Sequence, residues 1–271
     1  MKFEMTIADT IYSIARNAAI TLGIKPDSIA HKAALKLLGV KPHSYAGLLN
    51  DVPTEERSRT ALHRAFYENT GSAVNKWRHY LDVYDRYLSH YCGKRVKILE
   101  IGVSTGGSMA MWRRYFGEEA KIFGIDINPE CAHLGGTNAE VRLGSQADPV
   151  FLRSVIAEMG GVDVIIDDGS HNASHQRISF ETLFPLLDAN GVYICEDTHT
   201  AYWREYEGGY RRNSNFLEIA KKIVDDIHGD FHRHALSIKD ANRVIKGIHF
   251  YNSMVIIEKA PQPYPMNIVV G

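Results

Sequence analysis

The sequence predicts an α/β fold in which a mostly parallel sheet is covered by helices on both sides and ends in an antiparallel strand. Three observations carry that reading. From Val96 onward the short apolar runs VKILEI, KIFGIDI, AEVRL, VDVIID and GVYICE alternate with amphipathic stretches whose helices start near Gly107, Asp148, Ser174 and Asn213. The turn EIGVSTGG joins the first run to its helix through glycines that permit tight backbone geometry. RVIKGIHFYNSMVIIEKA holds two further runs separated only by Asn252 and Ser253, a link too short for a helical crossover, so the last strand is expected antiparallel in a hairpin at a sheet edge.

Ahead of the sheet, residues 1–70 read as a helical N-terminal segment and residues 71–271 as the main domain. Ile7, Ile11, Ile14 and Ala15, then Ala30, Ala33, Leu35 and Leu38, recur at helical spacing, with glycines at 23, 39 and 47 as punctuation. A second helical stretch is expected from Glu56 to His90, and its stripe of Trp77, Tyr80, Leu81, Tyr84 and Leu88 reads as packing. So short an apolar segment has little core of its own, which points to a homo-oligomer formed through the N-terminal helices.

Thirty-one basic residues against thirty-two acidic ones, without blocks of one sign, give no electrostatic case for a nucleic acid or an anionic membrane as partner. The first residues interrupt their apolar groups with Glu4, Asp9, Arg16 and Asn17, unlike a signal peptide or a spanning helix. Cys92, Cys131 and Cys195 have no paired spacing, consistent with a reducing, cytoplasmic setting. A small neutral or zwitterionic substrate fits this composition best.

The candidate chemistry lies where strands end. Glu100, Gly102, Thr105, Gly106 and Gly107 lead into a helix N-terminus with unpaired N–H groups, a cradle for a nucleotide-like cofactor. The loop lacks the full dinucleotide fingerprint and by itself leaves NAD and S-adenosylmethionine both open. Asp126 closes the next strand, where a carboxylate can accept both ribose hydroxyl hydrogens, and Gly144, Ser145, Gln146 and Ala147 follow the third strand beside the adenine position. Asp167, Asp168 and His171 end the fourth strand; Glu196 and Asp197 end the fifth. Adjacent parallel strands bring such acids to one sheet edge, and oxygen ligands suit a hard divalent cation such as Mg²⁺, with zinc left open by His171. A histidine there can take a proton near neutrality from a hydroxyl made more acidic by a metal. His175 and His199 read as loop hydrogen-bonding groups. Tyr202, Trp203, Tyr206 and Tyr210 crowd the segment 198–212, which reads as a loop able to close over a ring-bearing acceptor or as one tied down by aromatic packing.

These motifs resemble class I S-adenosylmethionine-dependent methyltransferases over about residues 95–260, with Glu100 and Gly102 in the first motif and Asp126 in the second. The resemblance implies a Rossmann-like sheet with an antiparallel C-terminal strand. DDGSHNASHQ, FETLFPLL, GVYICEDTHTAYW, KWRHYLDVYDRYL and SMAMWRRYFGEEAKIFGIDI are similar to the metal-dependent mycinamicin-type macrolide sugar and rhamnosyl O-methyltransferases, over about residues 75–260. That likeness implies Asp168, Glu196 and Asp197 as Mg²⁺ ligands and His171 as general base. It places S-adenosylmethionine among Glu100, Gly102, Thr105, Gly106, Asp126, Ser145, Gln146 and Asp167, and a deoxysugar glycoside as the methyl acceptor. A cephalosporin-hydroxylase-like enzyme on the same scaffold and a nonenzymatic binding protein are the competing readings.

Overall fold

The computed structural model describes residues 49–136 and 139–271. The N-terminal helices expected before residue 49, and the oligomer contact expected of them, lie outside the described residues. The chain divides into two compact units, Met1–Pro53 and Thr54–Gly271, and all that follows concerns the second.

Seven strands form one sheet: β1 (Lys97–Ile101), β2 (Lys121–Asp126), β3 (Glu140–Leu143), β4 (Val162–Asp167), β5 (Leu187–Cys195), β6 (Ile245–Tyr251) and β7 (Met254–Lys259), in the order β3-β2-β1-β4-β5-β7-β6. The first five run parallel; β7 is antiparallel to both β5 and β6, so the expected hairpin is present with β6 at the edge. The one misjudged strand start is β5, which begins at Leu187, four residues before Gly191. Leu187 pairs with Val162, and a register shift follows before Val164 meets Val192. The polar Asp188 and Asn190 in that extension hide it from any reading based on apolar runs.

Eight α-helices are described: α1 (Thr54–Arg57), α2 (Ala61–Tyr67), α3 (Tyr80–Leu88), α4 (Gly107–Phe116), α5 (Pro149–Met159), α6 (Ala173–Leu183), α7 (Phe216–Ile227) and α8 (Ala241–Val244). Alternation along the strands gives each face its own core. Ile98, Ile122, Val164, Ile166 and Ile194 face Leu62, Tyr84, Trp112 and Phe116 from α2, α3 and α4. Leu99, Phe123, Ile125, Ile165 and Tyr193 face Leu152, Phe180, Leu183 and Phe216 from α5, α6 and α7. Local caps set the starts. Asp148 accepts the N–H groups of Val150 and Phe151 with Pro149 at the first helical position of α5, and Asn215 accepts from Glu218 at the start of α7.

The single helical stretch expected from Glu56 to His90 is instead α1, α2 and α3, with residues 68–79 outside any helix. Asn69, Thr70, Gly71 and Ser72 supply the turn chemistry, with the Asn69 side chain bonding the Ser72 carbonyl at 2.8 Å. The break matters, because it lets residues 73–77 run across the loop that follows β1.

Asp167, the last residue of β4, ties the sheet to its helical cover. Its carboxylate accepts from Tyr193 Oη at 2.8 Å and from Gln146 Nε2 at 3.2 Å, and Gln146 also bonds Ser179 of α6 at 3.0 Å. Burial pushes the Asp167 carboxyl up to about 6, against the opposing pull of Tyr193, His171, Gln146 and Ser179. Between pH 4 and 6 the folded protein therefore keeps a proton that the unfolded chain has released, so this group makes stability fall as pH rises through that window, by about 3 kcal/mol in total. We expect urea unfolding at stepped pH to show this decline in the wild type and to lose it in Asp167→Asn. An unchanged slope in the variant would assign the pH dependence to other groups.

Candidate functional site

Register builds the site. Ile101 pairs with Asp167 and Asp167 with Cys195, so Gly102, Asp168 and Glu196 emerge side by side at the C-terminal edge of β1, β4 and β5. The strands approach so closely there that a Cβ on Gly102, which sits at φ +97°, would lie 2.2 Å from the Asp168 carbonyl oxygen. Gly107 is equally confined, with the Ala73 carbonyl 2.2 Å from where its Cβ would stand, and Thr105 Oγ1 donates to that same carbonyl at 2.8 Å.

These loops open into a cavity of about 550 Å³ whose wall includes Gly102, Thr105, Asp126, Ser145, Gln146 and Asp168, together with His171 and Asp197. Asp126 accepts three backbone N–H groups, from Val103 at 2.9 Å, Ser104 at 3.0 Å and Asn128 at 2.8 Å. Burial raises its affinity for a proton, but these three donors outweigh that and hold it below the ordinary aspartate value, so the carboxylate stays charged against the cavity. Ser145 accepts from the Ala147 N–H at 3.1 Å, and Gln146 Oε1 accepts from the Ser170 N–H at 2.7 Å, fixing the loop that carries Asp168 and His171.

Four of the sequence-derived positions stand behind the wall instead of in it. Gly106 makes the left-handed turn at φ +77° that starts α4. Glu100 is fully buried, with Oε2 accepting from Ser108 at 2.8 Å. Asp167 reaches the cavity only through Gln146, and Glu196 is 1% exposed.

Asp168, His171 and Asp197 converge: one ligand atom from each lies within 4.8 Å of the others. His171 Nε2 is 3.7 Å from Asp197 Oδ2, and its Nδ1 is buried with no hydrogen-bond partner. Both His171 (φ +58°) and Asp197 (φ +51°) hold left-handed backbone conformations that side-chain-bearing residues rarely adopt, a strain common at functional sites. Glu196 does not join this group. Its Oε1 accepts from Lys76 Nζ at 2.7 Å and from the Tyr84 hydroxyl. His175 bonds Ser170 Oγ at 2.8 Å, and His199 bonds Ser253 Oγ and meets Trp203 edge-on at 4.7 Å. In the loop above, Tyr202 and Tyr210 are exposed and the Tyr206 ring lies 6.3 Å from that of His171.

The aromatic stripe of residues 77–88 is more than packing, and here the sequence-based expectation is corrected. Trp77 Nε1 and Tyr80 Oη each donate to Asp197 Oδ1 at 2.9 Å, while Tyr84 donates to Glu196. Lys76, whose side chain is only 2% exposed, bonds Asp168 Oδ2 at 2.6 Å as well as Glu196, and lies 3.7 Å from Glu100 Oε1. Burial works against its charge, but Asp168, Glu196 and Glu100 together hold it well above the ordinary lysine value. Sequence reasoning missed Lys76 outright; the only signal was the polar end on every aromatic of the stripe, which a buried ring rarely leaves unpaired.

Comparison with known proteins agrees with this geometry. Residues 99–198 match the family model described as a methyltransferase domain. The chain is 32% identical over 200 residues to the 8-demethyl-8-alpha-L-rhamnosyl tetracenomycin-C 2'-O-methyltransferase of Streptomyces olivaceus, covering 68% of this chain and 52% of that protein. It is 37% identical over 182 residues to the L-olivosyl-oleandolide 3-O-methyltransferase of Streptomyces antibioticus, covering 63% and 47%. Among solved structures it superposes on MycE methyltransferase from the mycinamycin pathway in complex with Mg, SAH and mycinamycin VI, with TM-score 0.65, 26% identity and coverage of 96% of this chain and 63% of that one. The chain spans about half the length of the curated relatives it matches. By sequence and by fold, it carries a class I S-adenosylmethionine-dependent methyltransferase domain and is related to the macrolide and tetracenomycin sugar O-methyltransferases.

Proposed function

We propose that this chain transfers the methyl group of S-adenosylmethionine to a hydroxyl of a rhamnose-like deoxysugar on a natural product, with Mg²⁺ as the second cofactor. The observation that carries the reading is the convergence of Asp168, His171 and Asp197 in the wall of a cavity that Gly102 and Asp126 also line. The donor set fits the ion: carboxylate oxygens without sulfur, beside an imidazole whose buried Nδ1 has no partner. Asp168 and Asp197 would hold the metal, with Glu196 as the third acid, and a bound ion would make an acceptor hydroxyl easier to deprotonate. The relatives named above, which methylate sugar hydroxyls, support the acceptor class.

Each wall has its part. Gly102, Thr105 and Gly106 shape the turn that admits the cofactor, Asp126 offers its charged carboxylate to the ribose, and Ser145 and Gln146 frame the adenine. Glu100 and Asp167 support from behind, Asp167 by way of Gln146. His171, held beside the acids on left-handed backbone, would take the hydroxyl proton as the acceptor oxygen bonds the methyl carbon and the methyl–sulfur bond breaks, with S-adenosylhomocysteine as the leaving group. Catalysis then rests on positioning together with base chemistry, since the reacting atoms must be held near contact distance. Exposed Tyr202 and Tyr210 offer ring surfaces to a glycoside. Among the described residues no helix is long and apolar enough to cross a membrane. We place the enzyme in the cytoplasm as a homo-oligomer, with no nucleic-acid partner.

In His171→Ala we expect turnover of a rhamnosylated acceptor to fall by about 10²- to 10⁴-fold, while calorimetric affinities for cofactor and metal stay near wild type. An active variant with an unchanged pH profile would remove the base assignment. Asp197→Ala should weaken metal binding and turnover together, and thorough chelation should abolish wild-type turnover until Mg²⁺ is returned. Asp126→Ala should loosen S-adenosylmethionine without altering metal affinity in the absence of cofactor; equal loss of both would mean that the two sites are not separable.

A further inference from the structure

Lys76 is out of place for an ordinary lysine. Its ammonium is buried at the centre of the acidic edge, 2.6 Å from Asp168, 2.7 Å from Glu196 and 3.7 Å from Glu100, on a segment that also lines the cavity. We infer that Lys76 is a resident cation of the metal site: its ammonium occupies the position between Asp168 and Glu196, and a divalent ion binds by displacing it. This inference rests on the metal reading above and adds to it the residue that sets metal affinity.

Charge and placement argue for exchange over coexistence. Asp168 belongs both to the converging donor group and to the lysine bridge. An ion bound to Asp168 would therefore stand within a few ångströms of the ammonium, and two like charges so close in a poorly solvated site repel strongly. Without the ammonium, Glu100, Asp168 and Glu196 would face one another with Tyr84 donating to Glu196 and Ser108 to Glu100, an arrangement of three acids that demands a cation. Lys76 meets that demand until the metal arrives. Glu196 is held by the same ammonium and by Tyr84, and it stands outside the Asp168, His171 and Asp197 group. The backbone can respond, because residues 73–77 lie in no helix or strand, and they are held to the cofactor loop at Ala73 and to Asp197 at Trp77.

The test uses Mn²⁺ alone as probe, with binding to the full chain followed by electron paramagnetic resonance in the absence of cofactor. We expect Lys76→Met to bind Mn²⁺ about ten-fold more tightly than wild type or better, and Lys76→Arg, which retains the charge, to bind no more tightly than wild type. In chelator Lys76→Met should melt below wild type and regain the difference on adding Mn²⁺, whereas a purely structural lysine would lower stability and metal affinity together. Lys76→Gln repeats the measurement with a polar head should the methionine variant fail to fold. Equal or weaker Mn²⁺ binding in the neutral variants, tightening in Lys76→Arg equal to that in Lys76→Met, or loss of fold in both neutral variants that Mn²⁺ does not restore would each overturn the inference while wild-type metal binding still stands. No Mn²⁺ binding by the wild type would overturn the metal reading itself, and this inference with it.

Discussion

The acidic edge is possible only because its charges are answered from one short segment. Glu100 stands one residue before the end of its strand and Asp168, Glu196 and Asp197 just follow theirs, and parallel pairing forces them together whatever their mutual repulsion. Residues 76–84 bring the compensation: an ammonium to Glu100, Asp168 and Glu196, a phenol to Glu196, and an indole and a second phenol to Asp197. The break in helix before Tyr80 is what lets one stretch of chain deliver all four groups. Burial and then the negative charge of Glu196 push the Tyr84 phenol well above its ordinary value, so it remains a donor to that carboxylate.

Two parts of the cavity wall are built differently. Around Gly102 and Asp126 the decisive features are backbone: Gly102 and Gly107 where no Cβ fits, and N–H groups that fix and charge Asp126. Around the acids they are side chains on strained backbone, His171 and Asp197 both left-handed. Strain of that kind persists only where surrounding contacts over-determine it. Here Thr200 Oγ1 bonds the carbonyls of both His171 and Asp197, at 3.1 and 2.8 Å, and Tyr80 accepts the Asp197 N–H at 3.1 Å.

What the sequence disclosed follows the same division. The parallel strands and the terminal hairpin were legible because buried parallel strands must be apolar on both faces and a two-residue link cannot cross over. The acids were legible because they stand at strand ends, where open α/β sheets place their ligands. Lys76 was not, since lysine is rarely fully buried and only its tertiary partners make this one tolerable. Tyr80 and Tyr84 were seen as a stripe but not as donors: helical spacing reports which face is buried, not what a hydroxyl at its far end will meet.

The segment beyond Asp197 shows how the remaining part of the site is held without regular structure. Asn215, buried at the start of α7, sends its amide to the carbonyls of Ala201 at 3.2 Å and Gly209 at 3.1 Å, and Glu207 accepts the Ser174 N–H at 3.0 Å. Those bonds satisfy backbone that would otherwise need water and bind the loop to α6 and α7. With its base so fixed, the loop keeps the rings of Tyr202 and Tyr210 exposed while Tyr206 and Trp203 turn toward His171 and His199. Tyr206 and Trp203 are thus ordered beside His171 and His199 by hydrogen bonds that do not involve Asp168, Glu196 or Asp197. On the function proposed above, the rings offered to an acceptor are therefore held by contacts separate from the charge balance that Lys76 provides.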